Sequence, residues 1–208
     1  MTINQLLNEL VSMTGLELVA ALLALAYVWL AARQNSWCWA CAFVSAALYT
    51  VIFWKVSLAY QAILNLYYVV MAMYGWLQWR RNNEDAGQLS ITRWSLKTHI
   101  VVICCLFVVS IALANVTKTT DDITYLMYLD TLVAVFSIFT TYLVTKKVLE
   151  NWLYWLIINL AACYLYANQG LYLTTLLFIV YVGMSVYGLA LWARSHKQGY
   201  ENSYEAAR

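Results

Sequence analysis

Trp152, Trp155, Asn159, Cys163 and Tyr166 recur at steps of three and four, so they share one face of a helix. Rings, an amide, a thiol and a phenol in line through an apolar segment are ill-suited to lipid. Facing a cavity, the rings would stack a flat solute, and the mid-segment amide of Asn159 would orient it. A structural reading stands beside this one: Trp152 and Trp155 as interfacial anchors, and Asn159 as a hydrogen bond between helices. A similar line runs through Asn65, Tyr68, Ala72, Trp76 and Trp79. Its last two members, with Arg80, read either as belt residues or as an inner gate. Ser45 and Tyr181 fall near the middle of their own segments, within reach of the same cavity.

Glu17 and Asp130 lie within apolar segments at corresponding places. Ionisable groups are costly there and are functional candidates by default. Beside aromatic rings they would draw a cationic solute through charge pairing and cation–π attraction. Alternatively, they pair with polar groups of neighbouring helices. No G-x-x-x-x-G-K loop occurs, which excludes direct drive by ATP through this chain alone. His99 and His196 have no nucleophile beside them, and Asp121-Asp122 reads as solvated. Of the five cysteines, Cys38, Cys41, Cys104, Cys105 and Cys163, the first two form a C-x-x-C inside an apolar segment without companion ligands, where cysteine reads as a small packing residue. The chain therefore reads as a non-enzyme with no cofactor and no metal.

The elements that must position these residues are membrane helices. The chain is 64% hydrophobic and 11% charged, against roughly 45–50% and about 25% in a soluble globule. Backbone groups inside a bilayer must satisfy one another, so each crossing is a helix of roughly 20 residues. Apolar runs place crossings at about 15–33, 37–54, 58–79, 98–115, 124–145, 151–168 and 170–193. Of the 12 Lys and Arg residues, all but Lys55 and Lys118 fall in every second gap. Basic residues near crossings stay cytoplasmic, so the N-terminus is expected outside and the C-terminus inside. The net charge of +2 is distributed by side, which gives no patch for nucleic acid. The first residues lack a basic n-region and so do not read as a signal peptide. Ile3, Leu6, Leu7 and Leu10 suggest a short amphipathic surface helix.

The chain also repeats itself. Tyr74-Gly75-Trp76-Leu77-Gln78-Trp79-Arg80-Arg81 and Tyr187-Gly188-Leu189-Ala190-Leu191-Trp192-Ala193-Arg194 both fit Y-G-x-x-x-W-x-R, at an offset of 113. Asn35…Trp39 and Asn151…Trp155 both fit N-x-x-x-W, at an offset of 116. Together they indicate two parallel three-helix repeats joined by one linker helix, a plan that can build a transporter around a midplane site. The expected layout is a surface segment at 1–13, a first repeat at 14–81, a cytoplasmic linker at 82–97, a connecting helix at 98–118, a second repeat at 119–194 and a cytoplasmic tail at 195–208. The fold class is thus an all-α integral membrane protein with seven transmembrane helices in a 3+1+3 arrangement.

Two segments carry a family resemblance that extends over nearly the whole chain. Trp76-Leu77-Gln78-Trp79-Arg80 and Glu150-Asn151-Trp152-Leu153-Tyr154-Trp155-Leu156-Ile157-Ile158-Asn159 resemble the PnuC family of bacterial vitamin transporters. Asp130, followed by a long apolar helix and Lys146-Lys147, fits the same pattern. The resemblance implies facilitated diffusion of an unphosphorylated vitamin across the bacterial inner membrane, usually nicotinamide riboside, with trapping by a separate cytoplasmic kinase. Typical riboside carriers place amides where this chain has Ser45, Asn65 and Ala72. Tyr67, Tyr68, Tyr164, Tyr166 and Tyr181 make the relevant helices rich in phenols. A less amide-rich, more aromatic cavity suits a compact aromatic cation, so the reading leans to thiamine, with nicotinamide riboside as the alternative. A sugar facilitator and a non-transporting membrane sensor rank below both. The expected partners are the vitamin and the lipid bilayer, and short loops permit a homo-oligomer without requiring one.

Overall fold

The computed structural model describes residues 15–55, 57–84, 90–116 and 125–206. Helix α1 spans Gly15–Ala32, α2 Cys38–Lys55, α3 Ala59–Glu84, α4 Leu96–Val116, α5 Tyr125–Thr145, α6 Asn151–Asn168 and α7 Tyr172–Ala206. The expected surface helix at Ile3–Leu10, the loop with Lys118 and Asp121-Asp122, and part of the polar linker lie outside the described residues.

The helices form because long apolar runs, with no proline anywhere to remove a backbone donor, leave helical hydrogen bonding as the way to satisfy the chain. Breaks fall at short turns where one residue adopts a left-handed conformation: Gln34 (φ 56), Ser57 (φ 62), Lys147 (φ 50) and Gly170 (φ 75). Only Gly170 does so without a Cβ penalty; the others hold a conformation that costs about 1–2 kcal/mol each.

Among the described residues, five helices, α1, α2, α4, α5 and α7, are long and apolar enough to cross a membrane by length and composition alone. The amides and tyrosines of α3 and the tryptophans, tyrosines and asparagines of α6 lower their hydropathy, because these two helices carry much of the polar lining described below. Two expected ends move. Helix α3 continues through Glu84 rather than stopping near residue 79, and α7 runs for 35 residues to Ala206 rather than ending near 193. The tail of α7 contains good helix formers and an i,i+4 pair, Lys197 Nζ to Glu201 Oε1 at 3.7 Å. At 1.5 Å per residue such a helix is roughly 50 Å long and overruns a hydrocarbon core of about 30 Å.

Six helices close a ring: α1 packs on α2, α2 on α3, α3 on α5, α5 on α6, α6 on α7, and α7 back on α1. Helix α4 stands outside it, packed on α5. Two indole seats hold the ring at one end. Trp39 lies on Gly75, and Trp152 lies on Gly188, each so closely that a Cβ on the glycine would overlap the ring. Trp39 meets Trp79 edge-on at 5.4 Å, and Trp152 meets Trp192 the same way at 5.6 Å. Trp79 and Trp192 then meet each other at 6.2 Å. This pairing corrects the second sequence echo: the partner of Trp39 is Trp152, at the 113-residue offset, and not Trp155. The glycine that receives the indole sets the register, and a shared N-x-x-x-W pattern does not.

The same register recurs elsewhere. Gln34 and Lys147 are equivalent, both left-handed, and Lys147 Nζ donates to Gln34 Oε1 at 3.4 Å. Arg33 stands over the Trp29 ring at 4.0 Å, and its counterpart Lys146 over Tyr142 at 5.8 Å. The match is not perfect: Trp192 Nε1 donates to the Ala31 carbonyl at 3.1 Å, whereas Trp79 Nε1 has no partner among the described residues and its ring instead receives the Lys147 ammonium at 4.7 Å.

Between membrane helices water exclusion contributes little, and close packing at small residues does most of the work. Gly75→Ala and Gly188→Ala should therefore each lower the melting temperature in detergent, by an amount equivalent to about 1–3 kcal/mol, the usual cost of overpacking. Gly183→Ala, where an added Cβ meets nothing within 4 Å, should leave it unchanged.

Candidate functional site

The ring encloses a cavity of about 480 Å³, within the range of small-molecule sites. Each helix supplies its lining at helical spacing. From α1 come Ala24, Tyr27, Val28 and Ala31; from α2 Trp39, Ala42, Ser45, Ala46, Tyr49 and Phe53; from α3 Gln61, Leu64, Asn65 and Tyr68. Asp130, Ser137, Thr141 and Val144 line it from α5, Trp152, Trp155, Asn159 and Tyr166 from α6, and Thr174, Phe178, Tyr181 and Ser185 from α7.

Every lining residue expected from the sequence, Trp155, Asn159, Trp152, Asn65, Tyr68, Ser45, Tyr166, Tyr181 and Asp130, is on this wall except Glu17. Glu17 instead lines a second groove between α1, α2 and α7, which shares Tyr49, Phe53, Thr174 and Leu177 with the main cavity. The two acids occupy matching registers but open on different spaces, because α1 turns its acidic position toward the α1–α7 seam. Cys163 leaves the expected stripe: its thiol lies 3.9 Å from the Thr175 carbonyl and does not line the cavity. Trp76 and Trp79 do not line it either. Trp79 is buried in the tryptophan cluster, Trp76 packs beside it and meets Trp37 edge-on, and Arg80 is exposed.

The hydroxyls of the wall are mostly committed to backbone. Ser45 Oγ donates to the Ala20 carbonyl at 2.8 Å and so ties α2 to α1. Ser137 and Thr141 donate to carbonyls one turn back, at 2.6 and 2.8 Å. Asn159 Nδ2 donates to Ser185 Oγ at 3.1 Å, which itself donates to the Tyr181 carbonyl at 2.8 Å. Asn65 Nδ2 donates to the Gln61 carbonyl at 2.9 Å. The structural reading of Asn159 is seen directly: its NH₂ group joins α6 to α7, while among the described residues its carbonyl oxygen has no donor. Asp130 also has no hydrogen-bond or ion-pair partner among the described residues, and its carboxylate is exposed on the cavity wall.

Sequence reasoning missed Tyr27, Trp39, Gln61, Ser137 and Thr141 as lining residues. Several were legible in retrospect. Gln61 stands one turn before Asn65 on the same face, and Tyr27 continues the small-residue face of Ala20, Ala24 and Ala31. The structure also moves Tyr67 and Tyr164 off the site: Tyr67 donates to the Ile138 carbonyl at 2.8 Å, and Tyr164 is exposed beside Tyr125. The cavity remains aromatic, but with Gln61 it is less poor in amides than Asn65 and Asn159 alone suggested.

At the tryptophan end, Lys147 is buried in the α5–α6 turn over Trp79. Burial lowers its pKa to about 8, with the neighbouring Cys38 thiol pulling the other way.

A family model described as nicotinamide mononucleotide transporter matches residues 14–194. The nicotinamide riboside transporter PnuC of Escherichia coli (strain K12) is 26% identical over 180 residues, 74% of this chain and 75% of that protein. The riboflavin/roseoflavin transporter RibM of Streptomyces davaonensis is 23% identical over 181 residues, 85% of this chain and 83% of its own. Among solved structures, the crystal structure of the vitamin B3 transporter PnuC superposes with a TM-score of 0.71 at 21% identity, covering 88% of this chain and 82% of that one. At that identity the match establishes the fold.

Trp152, 3% exposed and wedged on Gly188, should behave as core. Trp152→Ala should cost about 3–5 kcal/mol of stability, as large aromatic truncations do, whereas Asn159→Ala should cost about 1 kcal/mol because Ser185 keeps its backbone bond; unfolding in detergent separates the two. A lysine whose folded pKa lies below the ordinary 10.5 loses its proton first in the folded state, so stability rises with pH between about 8 and 10.5. Lys147→Met should therefore melt higher than the parent at neutral pH, and the difference should close as pH rises through that window.

Proposed function

We propose that this chain, which belongs to the nicotinamide mononucleotide transporter family, is a facilitator that carries nicotinamide riboside across the bacterial inner membrane. The observation that carries this reading is Asp130, a carboxylate without a counter-charge among the described residues, on the wall of a ring-lined cavity that also presents the amides of Gln61, Asn65 and Asn159. A pyridinium riboside matches that set. Its flat cation suits the rings and the acid, its carboxamide suits Asn159, and its ribose hydroxyls suit the remaining amides. The name of the Escherichia coli relative supports the same solute.

Thiamine is the second reading. It is also a flat permanent cation, and the phenols of Tyr27, Tyr49, Tyr68, Tyr166 and Tyr181 around the cavity favour it. Gln61 on the wall makes the cavity richer in amides than a thiamine site needs, which moves the preference to the riboside. A neutral isoalloxazine, suggested by RibM, would leave Asp130 uncompensated.

For topology, we read seven crossings arranged as two parallel three-helix units, α1–α3 and α5–α7, with α4 as the connecting helix. The N-terminus lies outside and the C-terminus inside. The matched indole seats support the two units, and α4 outside the ring supports the connecting role. Arg33 and Lys146, over rings at equivalent positions, fit the cytoplasmic boundary of the membrane. The tryptophan end is then the inner end. The sequence holds no nucleotide-binding loop, which agrees with passive exchange and trapping by a separate kinase.

Titration of the purified protein with nicotinamide riboside, thiamine and riboflavin, followed by intrinsic tryptophan fluorescence, tests the substrate. Quenching by the riboside is expected, and Asp130→Asn should weaken it about tenfold, equivalent to about 1.4 kcal/mol. A response to thiamine alone would transfer the site to the second reading. A response to riboflavin alone would refute the cationic reading.

A further inference from the structure

The segment Ser90–Trp94, between α3 and α4, is bonded into the tryptophan end of the ring. Thr92 pairs with Val148 of the α5–α6 turn as a parallel bridge. Its amide donates to the Lys147 carbonyl at 3.0 Å, and its carbonyl accepts from the Leu149 amide at 2.8 Å. Ile91 is buried in the cluster with Trp79, Trp192 and Leu149, and its carbonyl lies 3.0 Å from His196 Nδ1 on α7. Glu150, 8% exposed, clasps the next two residues. Its carboxylate accepts from Arg93 Nε at 2.9 Å and from the Trp94 amide at 3.3 Å. His99 Nε2 stands 3.8 Å from the same carboxylate, while Nδ1 bonds Tyr154 Oη at 3.0 Å. Thus one short segment is bonded to the α5–α6 turn and lies against α7, and it is buried in the same cluster as Trp79 of α3.

We propose that this strap is a latch: it holds the tryptophan end shut, and it must leave the α5–α6 turn before the cavity opens there. The inference rests on the facilitator reading, in which the two ends open in turn. Its physical basis is separate. Ile91 is buried in the same cluster as Trp79 and Trp192, so parting those indoles would disturb its seat. The bonds that hold it are few, and all lie at the end of the ring. Glu150 is the positioning residue, since it joins the strap to the first residue of α6, the helix that carries Trp152, Trp155 and Asn159.

The test uses the full chain reconstituted in vesicles, with two readouts. One is alkylation of Cys38, which is buried beside Trp39 and does not line the cavity, by a sulfonated maleimide, mapped by mass spectrometry. The other is exchange of radiolabelled nicotinamide riboside. Backbone pairing places Thr92 and Val148 about 4.8 Å apart, within disulfide reach. Thr92→Cys with Val148→Cys, bridged by oxidation or by a short thiol cross-linker, should slow both readouts severalfold, and reduction should restore them. Glu150→Gln, which needs no cross-link, should speed Cys38 alkylation severalfold. Alkylation unchanged by the bridge, or a Cys38 that never reacts in the parent, would overturn the latch. If alkylation follows the latch while no riboside exchanges in the parent, the substrate assignment fails and the latch stands.

Discussion

Inside a bilayer, water no longer drives helices together, so their association depends on how closely their surfaces fit. Here the closest fit is an indole laid on a bare backbone: Trp39 on Gly75 and Trp152 on Gly188. Each seat fixes the distance and rotation between two helices, α2 and α3 in one case and α6 and α7 in the other. Each seated indole then meets a tryptophan one turn beyond its glycine, and those two tryptophans meet across the ring. The ring, its cavity and its closed end all follow from these seats. A side chain on either glycine would push apart the helices that define the wall.

The shared register makes the differences between the trios informative. Where α2 has Ala42 and Ala46, α6 has Trp155 and Asn159, so one wall is recessed and the other carries a ring and an amide. Asp130 faces the cavity, whereas its counterpart Glu17 faces a lateral groove. The matched positions therefore line the cavity unequally.

Polar side chains in the wall are used sparingly. Ser137, Thr141 and Ser185 return their protons to carbonyls one turn back, which stops them from competing for a solute. Among the described residues, the groups left over are the side-chain amide of Gln61, the carbonyl oxygens of Asn65 and Asn159 and the carboxylate of Asp130, together with phenols on the wall. At the tryptophan end the economy differs: a cation, Lys147, is buried over an indole, and the linker between the trios folds back to pair with the turn that carries it.

Composition and pattern alone determined that this is a helical membrane chain, that it repeats, and that Trp155, Asn159, Tyr68 and Tyr181 belong on faces suited to a cavity. Those conclusions follow from hydropathy and helical spacing, which are local. The tertiary structure decided what local pattern cannot encode. It set the true register of the repeat, because a glycine distant in sequence receives the indole. It put Glu17 outside the cavity and Gln61 within it, because a helix's rotation depends on its neighbours. It also set the reach of α3 and α7 past the apolar runs and the return of Ser90–Trp94 to the α5–α6 turn, since polar sequence does not say which surface it will meet.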